Sequence, residues 1–455
     1  MNNGHADGAG RLTPQEVGVE KAVLGAMLVD NRAIAPVADI LGDESAFYNS
    51  AHRKIYAAIL ELHRKNEPAD QVTITNVLEA AGQAEEVGGA PVVAGIAGEV
   101  YTAANAEFHA RIVLEAAIRR RLIDSCTQTI EEAYRKTEDV HEIIDRAEQR
   151  ALAVGRGVHT AEPVSWSDAV SAAADRIEWA ADHPGEVPGL STGIPHLDQI
   201  LGGLEGSTLY VLAARPSEGK TAVGLAIARN VALRGIPVQF VSREMPARAL
   251  GLRGVSQAAR VNMQAARLGR LSERGWDHLV AAIPGEGRLP IRCDDTSVTA
   301  TEVRASARRA VRKGAKLVVV DYLQIVDPPP GRYGNREQEV AAISRTMKAM
   351  AKELDVPVLV LAQISRAVES RENRRPQLQD LRESGSIEND ADVVMFLYRP
   401  GFQKLKEAKT QEERTAARED KRMEIIVRKQ RQGEVGTVDT YFDPDTQTVG
   451  EMAHG

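Results

Sequence analysis

The stretch AARPSEGKTA, Ala213 to Ala222, ends in Gly219-Lys220-Thr221. A glycine turn followed by Lys and Thr can hold a phosphate in three ways. Backbone N–H groups of the loop and of the following helix point at the anion, the lysine sets a cation against β- and γ-phosphates, and the hydroxyl reaches a magnesium shell. The candidate nucleotide-binding residues are therefore Arg215, Pro216, Ser217, Glu218, Gly219, Lys220, Thr221 and Ala222. Two features depart from the ordinary motif. Ala214 stands where a first glycine is usual, which is tolerable if that position does not need positive φ. Glu218 brings a carboxylate into an anion cradle. Turned away it leaves the backbone free to bind; turned inward it would repel a triphosphate.

Further polar residues close apolar runs downstream. LVVVD ends in Asp321, a carboxylate suited to share a magnesium ion with Thr221. Four apolar residues before an Asp are common, so it is the combination with the loop that is specific. Glu244 follows VQFVSR and could orient an attacking water, or it could cap the helix that begins at Pro246. Gln363 closes PVLVLAQ, as a γ-phosphate sensor or as a buried, satisfied amide. Asp294-Asp295 could be taken for a metal pair, but reads better as a strand end capping a helix from near Thr299. Arg366, Arg371, Arg374 and Arg375 concentrate positive charge within 365–377, without aromatic residues, which suits phosphate tracking more than base reading. The basic run 304–316 reads as the solvated face of a helix.

The elements that would carry these residues show in the hydrophobic pattern. From 190 onward, runs at 208–213, 237–241, 316–321, 357–363 and 392–398 lack polar alternation, as parallel strands buried on both faces do. Residues 423–442 read as a hairpin turning near Gln432-Gly433, and 401–423 as a charged surface helix or loop. The P-loop thus lies between a strand and a helix, as its chemistry needs. Residues 1–12 read as a flexible tail and 13–155 as a helical domain, with one helix, whole or broken, from about 106, and Asn49 or Ser50 capping another. Residues 156–189 read as a linker with one amphipathic helix, its stripe formed by Val170, Ala173, Ala174, Ile177 and Ala181. That stripe must dock on its own domain or on a neighbouring subunit.

Bulk composition narrows the partners. The net charge of −7 offers no global field for nucleic acid, so such a site must be local. Two cysteines, Cys126 and Cys293, cannot make a disulfide framework, and a cytoplasmic location is expected. No apolar run of about 18 residues appears, so no membrane partner is expected.

Taken together, GIPHLDQILGGL (193–204), AARPSEGKT, SREMP, VVVDYLQ, LAQISR, DLRESGSIENDAD and RKQRQGEVGTV occur in one order. With VEKAVLGAMLVDNRAIAPVADIL and FYNSAHRKIYAAILEL, this chain resembles the bacterial DnaB family of replicative DNA helicases over about residues 14–445. The resemblance implies an all-α N-terminal collar domain and a linker helix. It also implies an α/β RecA-like P-loop NTPase domain over 190–455 with a mainly parallel sheet. The activity implied is ATP- and magnesium-dependent 5′ to 3′ translocation on single-stranded DNA by a homohexameric ring, with a primase and a helicase loader as partners. Carried over by residue, Lys220 and Thr221 bind ATP and magnesium, Glu244 is the catalytic base, Asp321 holds the metal and Gln363 senses the γ-phosphate. Lys429 and Arg431 reach the neighbouring subunit's ATP, and Arg382, Glu383 and Gly385 touch DNA. The loop 328–339 would also lie near the channel, or be a surface loop. Glu218, Arg243 and Asn389 depart from the family's usual residues. Two other functions remain open on these residues: a RecA-like recombinase ATPase, and a ring scaffold that recruits primase and loader but hydrolyses poorly because of Glu218.

Overall fold

The computed structural model describes residues 13–452, except 136–138, 141–142, 145, 148–149, 152–153, 155–164, 366–367, 369–370 and 372–373, and at 382–385 the backbone alone. The expected tail and Arg366 thus lie outside the described residues. The chain divides into two compact units, Met1–Val164 and Ser165–Gly455.

The first unit is helical. Val17–Val29, Ile34–Leu41, Ser50–Arg64, Gln71–Ala80, Gly89–Gly98 and Ala106–Ala133 pack around Leu24, Met27, Phe47, Ile55, Tyr56 and Ile59. Asn49 caps its helix by accepting from the N–H groups of Ala51 and His52. The helix from Ala106 runs unbroken for 28 residues, because Ala110, Val113 and Ala117 keep one face packed on the core. A buried Glu20 ties two helices together: it accepts from Tyr48 N–H at 2.5 Å and lies 2.7 Å from His52 Nδ1.

The second unit is a sheet covered by helices on both faces. Its strands are β1 (Leu209–Ala214), β2 (Val238–Ser242), β3 (Ile291–Asp294), β4 (Leu317–Asp321), β5 (Val358–Gln363), β6 (Val393–Tyr398), β7 (Arg422–Gln430), β8 (Gly436–Asp443) and β9 (Thr448–Glu451). Their spatial order is β3-β2-β4-β5-β1-β6-β7-β8-β9, parallel as far as β6 and antiparallel beyond. In β1 the alternate residues Leu209, Val211 and Ala213 face one core and Tyr210, Leu212 and Ala214 the other. Burial on both faces is why the run shows no polar alternation.

All the expected strands are present, and the hairpin is β7–β8. The charged stretch after β6 forms two helices, Pro400–Glu407 and Gln411–Glu419, the second started by a Thr410–Glu413 capping box. Trp166–Asp182 is the amphipathic helix expected near the linker. Ser165 caps it, and none of its residues is buried within this chain. Asp294 does end a strand, but the following helix Ala300–Arg312 is capped by Thr299 with Glu302. Asp294 instead accepts from the N–H groups of Thr296 and Ser297. Within the basic run, Arg304 and Arg308 share Glu353 on the neighbouring helix.

Candidate nucleotide site

A parallel sheet directs the C-terminal ends of its strands to one edge, and ligands collect there. β1 delivers the loop Arg215–Gly219 to that edge, and the loop opens the helix Lys220–Leu233. β2 delivers Glu244, β4 Asp321 and β5 Gln363 to the same edge. Lys220 Nζ donates to Glu244 Oε2 at 2.7 Å and to Asp321 Oδ1 at 3.2 Å, and lies 3.7 Å from the centre of the Tyr322 ring. The expected cation and two carboxylates are therefore one cluster, drawn from positions up to 101 residues apart. The helix after Glu244 begins at Ala247 with Pro246 as its cap residue and no side-chain cap bond, so Glu244 is not its cap.

Burial pushes the Asp321 carboxyl up, and Lys220 and a hydrogen bond from the Thr221 hydroxyl pull it back. Its Oδ2 is buried without a hydrogen-bond partner. An orphaned carboxylate oxygen beside a hydroxyl is a donor set that fits magnesium. Among the described residues there is no group of three His, Cys, Asp or Glu that could hold a metal, and Asp294-Asp295 belongs to the turn described above.

The two departures in the loop are resolved by its backbone. Positive φ falls on Ser217 (67°) and Gly219 (100°), and Ala214 completes β1, so no glycine is needed at 214. Glu218 is buried and turned away from Lys220. Its Oε1 accepts from Gln403 Nε2 at 2.7 Å and its Oε2 from the Arg215 N–H at 3.2 Å. Gln363 is tied by its main chain: its N–H donates to Gln324 Oε1 at 3.1 Å and its carbonyl accepts from Gln324 Nε2 at 2.9 Å. One group was missed in the sequence. The Arg253 side chain is half-buried, with its Nε buried and without a partner, and it feels the charges of Asp321 and Glu244. Its only sequence signal is its place seven residues beyond Pro246, about two turns into the helix Ala247–Ala259.

Lys429 and Arg431 lie elsewhere. Antiparallel pairing sets Lys429 opposite Val394 and Gln430 opposite Val393, and Arg431 N–H donates to Asp392, the residue before β6. That is the other edge of the sheet from their own chain's phosphate loop. Their side chains donate to the carbonyls of Glu388 and Asn389. Arg382 and Glu383 fall in the 3-10 turn Leu378–Ser384, and Gly385 starts the short helix Gly385–Asp390 that leads into β6. The nearby arginines are less free than the sequence suggests. Arg371 pairs with Asp380, Arg374 with Glu407 at 2.6 Å and Arg375 with Glu424 at 2.8 Å.

Comparison with known proteins agrees with this architecture. Residues 189–451 match the DnaB-like helicase C-terminal domain and residues 12–115 the DnaB-like helicase N-terminal domain. The chain is 40% identical to the replicative DNA helicase DnaB of Geobacillus stearothermophilus, covering 95% of this chain and 93% of that one. It is 38% identical to the replicative DNA helicase DnaC of Bacillus subtilis over the same shares. A solved DnaB-like replicative helicase, described with its interactions with primase, superposes with a TM-score of 0.72 at 29% identity, covering 96% of this chain and all of that one. A second solved structure, an isolated ATPase domain, superposes with a TM-score of 0.58 at 33% identity over 64% of this chain and all of that domain. With both domain matches in order and near full-length identity to replicative helicases, the chain belongs to the DnaB-like helicase family, whose members are ATP-dependent DNA helicases.

Proposed function

We propose that this chain works as a ring-shaped homohexamer that hydrolyses ATP to move 5′ to 3′ along single-stranded DNA and unwind duplex at the replication fork. The observation that carries the reading is the Lys220–Glu244–Asp321 cluster beside the phosphate loop. In it the loop N–H groups and Lys220 bind the triphosphate. Thr221 and Asp321 would hold magnesium, which neutralises charge on the phosphates. Glu244, released from Lys220 when the lysine turns to phosphate, takes the proton of the attacking water. Gln363 reports the γ-phosphate.

Lys429 and Arg431 act on the neighbour's nucleotide, a role that their place at the far edge of their own sheet supports. Arg382, Glu383 and Gly385, with Arg366 and Arg371, contact the DNA backbone. The linker is 156–189, and its helix packs on the adjacent subunit. Its exposed Trp166, Val170 and Ile177 support this, as does a second exposed stripe of Trp276, Val280 and Ile283 on Glu273–Glu286. Primase is a partner, as for the solved relative, and a loader a further one. The enzyme acts in the cytoplasm; among the described residues no helix is long and apolar enough to cross a membrane. The scaffold reading rested on an inward Glu218 and loses its motive, since that carboxylate is held by Gln403. The N-terminal helical domain match speaks against a recombinase.

The test is ATP-dependent unwinding of forked duplexes with a 5′ or a 3′ tail, each base-pair step costing about 1.4 kcal/mol in stacking. Unwinding should need ATP and the 5′ tail, and Lys220→Ala should abolish it together with hydrolysis. Substantial unwinding by Lys220→Ala would sink the assignment.

A further inference from the structure

Glu218 is a buried carboxyl group inside the phosphate loop for which the reaction has no use. It is 1% exposed, and burial pushes its carboxyl up while the Arg215 N–H and Gln403 oppose that. Gln403 is itself buried, on the helix Pro400–Glu407. Arg399, just before that helix, donates Nη1 to the Ser217 carbonyl at 3.3 Å and stands 4.6 Å from the centre of the Phe442 ring. Phe442 lies against the loop: a Cβ added to Gly219 would meet its ring at 3.2 Å. Three consecutive loop residues are thus gripped by Gln403, Arg399 and Phe442. The contacts come from the segment after β6 and from β8, and Lys220 faces Glu244 and Asp321 instead.

The grip has something to hold. Ser217 adopts φ 67°, a left-handed conformation that is unfavourable for a non-glycine residue and persists only where the surroundings impose it. A loop free to relax there would scatter the N–H groups that must converge on phosphate.

We propose that Glu218 and Gln403 are positioning residues for ATP, clamping the phosphate loop from behind so that the helical pair 400–419 sets the motor's nucleotide affinity. The proposal rests on the loop being the ATP site. Glu218 in this view is no inhibitory charge but the anchor by which a separate element holds the cradle in shape.

The experiment is steady-state, DNA-stimulated ATP hydrolysis by the full-length chain, resolved into kcat and KM. Gln403→Leu and Glu218→Ala should each raise the KM for ATP about tenfold, as loss of a hydrogen bond to a buried carboxyl group does, with a much smaller change in kcat. The double variant should be no worse than the worse single, because both remove one contact. The exchange Glu218→Gln with Gln403→Glu re-forms the pair with donor and acceptor reversed. It should bring KM back to within about threefold of wild type, which a merely structural lesion at either position would not do. Effects that multiply in the double variant, an exchange as impaired as the singles, or a KM unmoved by Gln403→Leu would each overturn the proposal. So would a lower KM in Glu218→Ala, the mark of a carboxylate that had only repelled the triphosphate. If Gln403→Leu does not assemble, Glu218→Ala and the exchange decide. A wild type that hydrolyses no ATP on DNA would overturn the ATP-site reading itself; normal wild-type turnover with unmoved variants would overturn the clamp alone.

Discussion

Lys220 has two carboxylates within hydrogen-bond reach, so the loop's cation is already satisfied before a phosphate replaces them. In the proposed mechanism that exchange frees Glu244, the more exposed of the two, to meet a water. Glu244→Gln keeps a side chain able to accept from Lys220 but cannot take a proton. Its ATP turnover should fall by at least about a hundredfold, with ATP binding changed by only a few-fold, measurable by single-turnover hydrolysis beside equilibrium binding. These residues were readable from the sequence because Asp321 closes a buried strand while Glu244 and Lys220 follow one, and parallel strands bring such ends together. The direction of Glu218 was not readable. It depends on Gln403, 185 residues away on a helix whose own pattern says only that it is charged. Arg253 was equally hidden, since its neighbours Asp321 and Glu244 reach it only through the fold of the sheet.

Turns between elements also carry stability. At the end of β3, burial pushes the Asp294 carboxyl up, but hydrogen bonds from the side chains of Ser297 and Ser306 and two N–H groups outweigh it and hold the carboxyl well below the usual range. A depressed carboxylate stabilises above the unfolded value of about 3.9 and loses that contribution as pH falls through the folded value. Asp294→Asn should cost roughly 1–2 kcal/mol at pH 7, discounted for its partial exposure. The deficit, read from urea midpoints, should stay constant down to about pH 5 and shrink only below about pH 4. In the first unit Asn49→Ala should cost about 1 kcal/mol, because Ala51 and His52 lose their N-terminal acceptor. Buried strands were legible as unbroken apolar runs. The intact helix Ala106–Ala133 was not, since its second half is polar and only the first half is packed. β9 is a short, half-exposed edge strand without such a run.

At the scale of the whole molecule, Lys429 and Arg431 stand at the opposite edge of the sheet from Lys220. Arg431→Ala and Lys220→Ala subunits should each be inactive alone. Mixed before assembly, they should regain part of the ATPase, since an Arg431→Ala subunit keeps an intact loop and a Lys220→Ala neighbour keeps an intact donor pair. Absence of any recovery in mixed assemblies would place the pair outside the neighbour's site. Under the proposed trans role, an acceptor on one edge and a donor on the other would give the contact a direction. Two copies facing each other across a two-fold axis would bring like edges together and complete neither site. In an open row, the terminal loop always lacks its donor. In the ring proposed above, closing the row would supply the missing donor without adding a subunit, so that closure itself would complete the last engine.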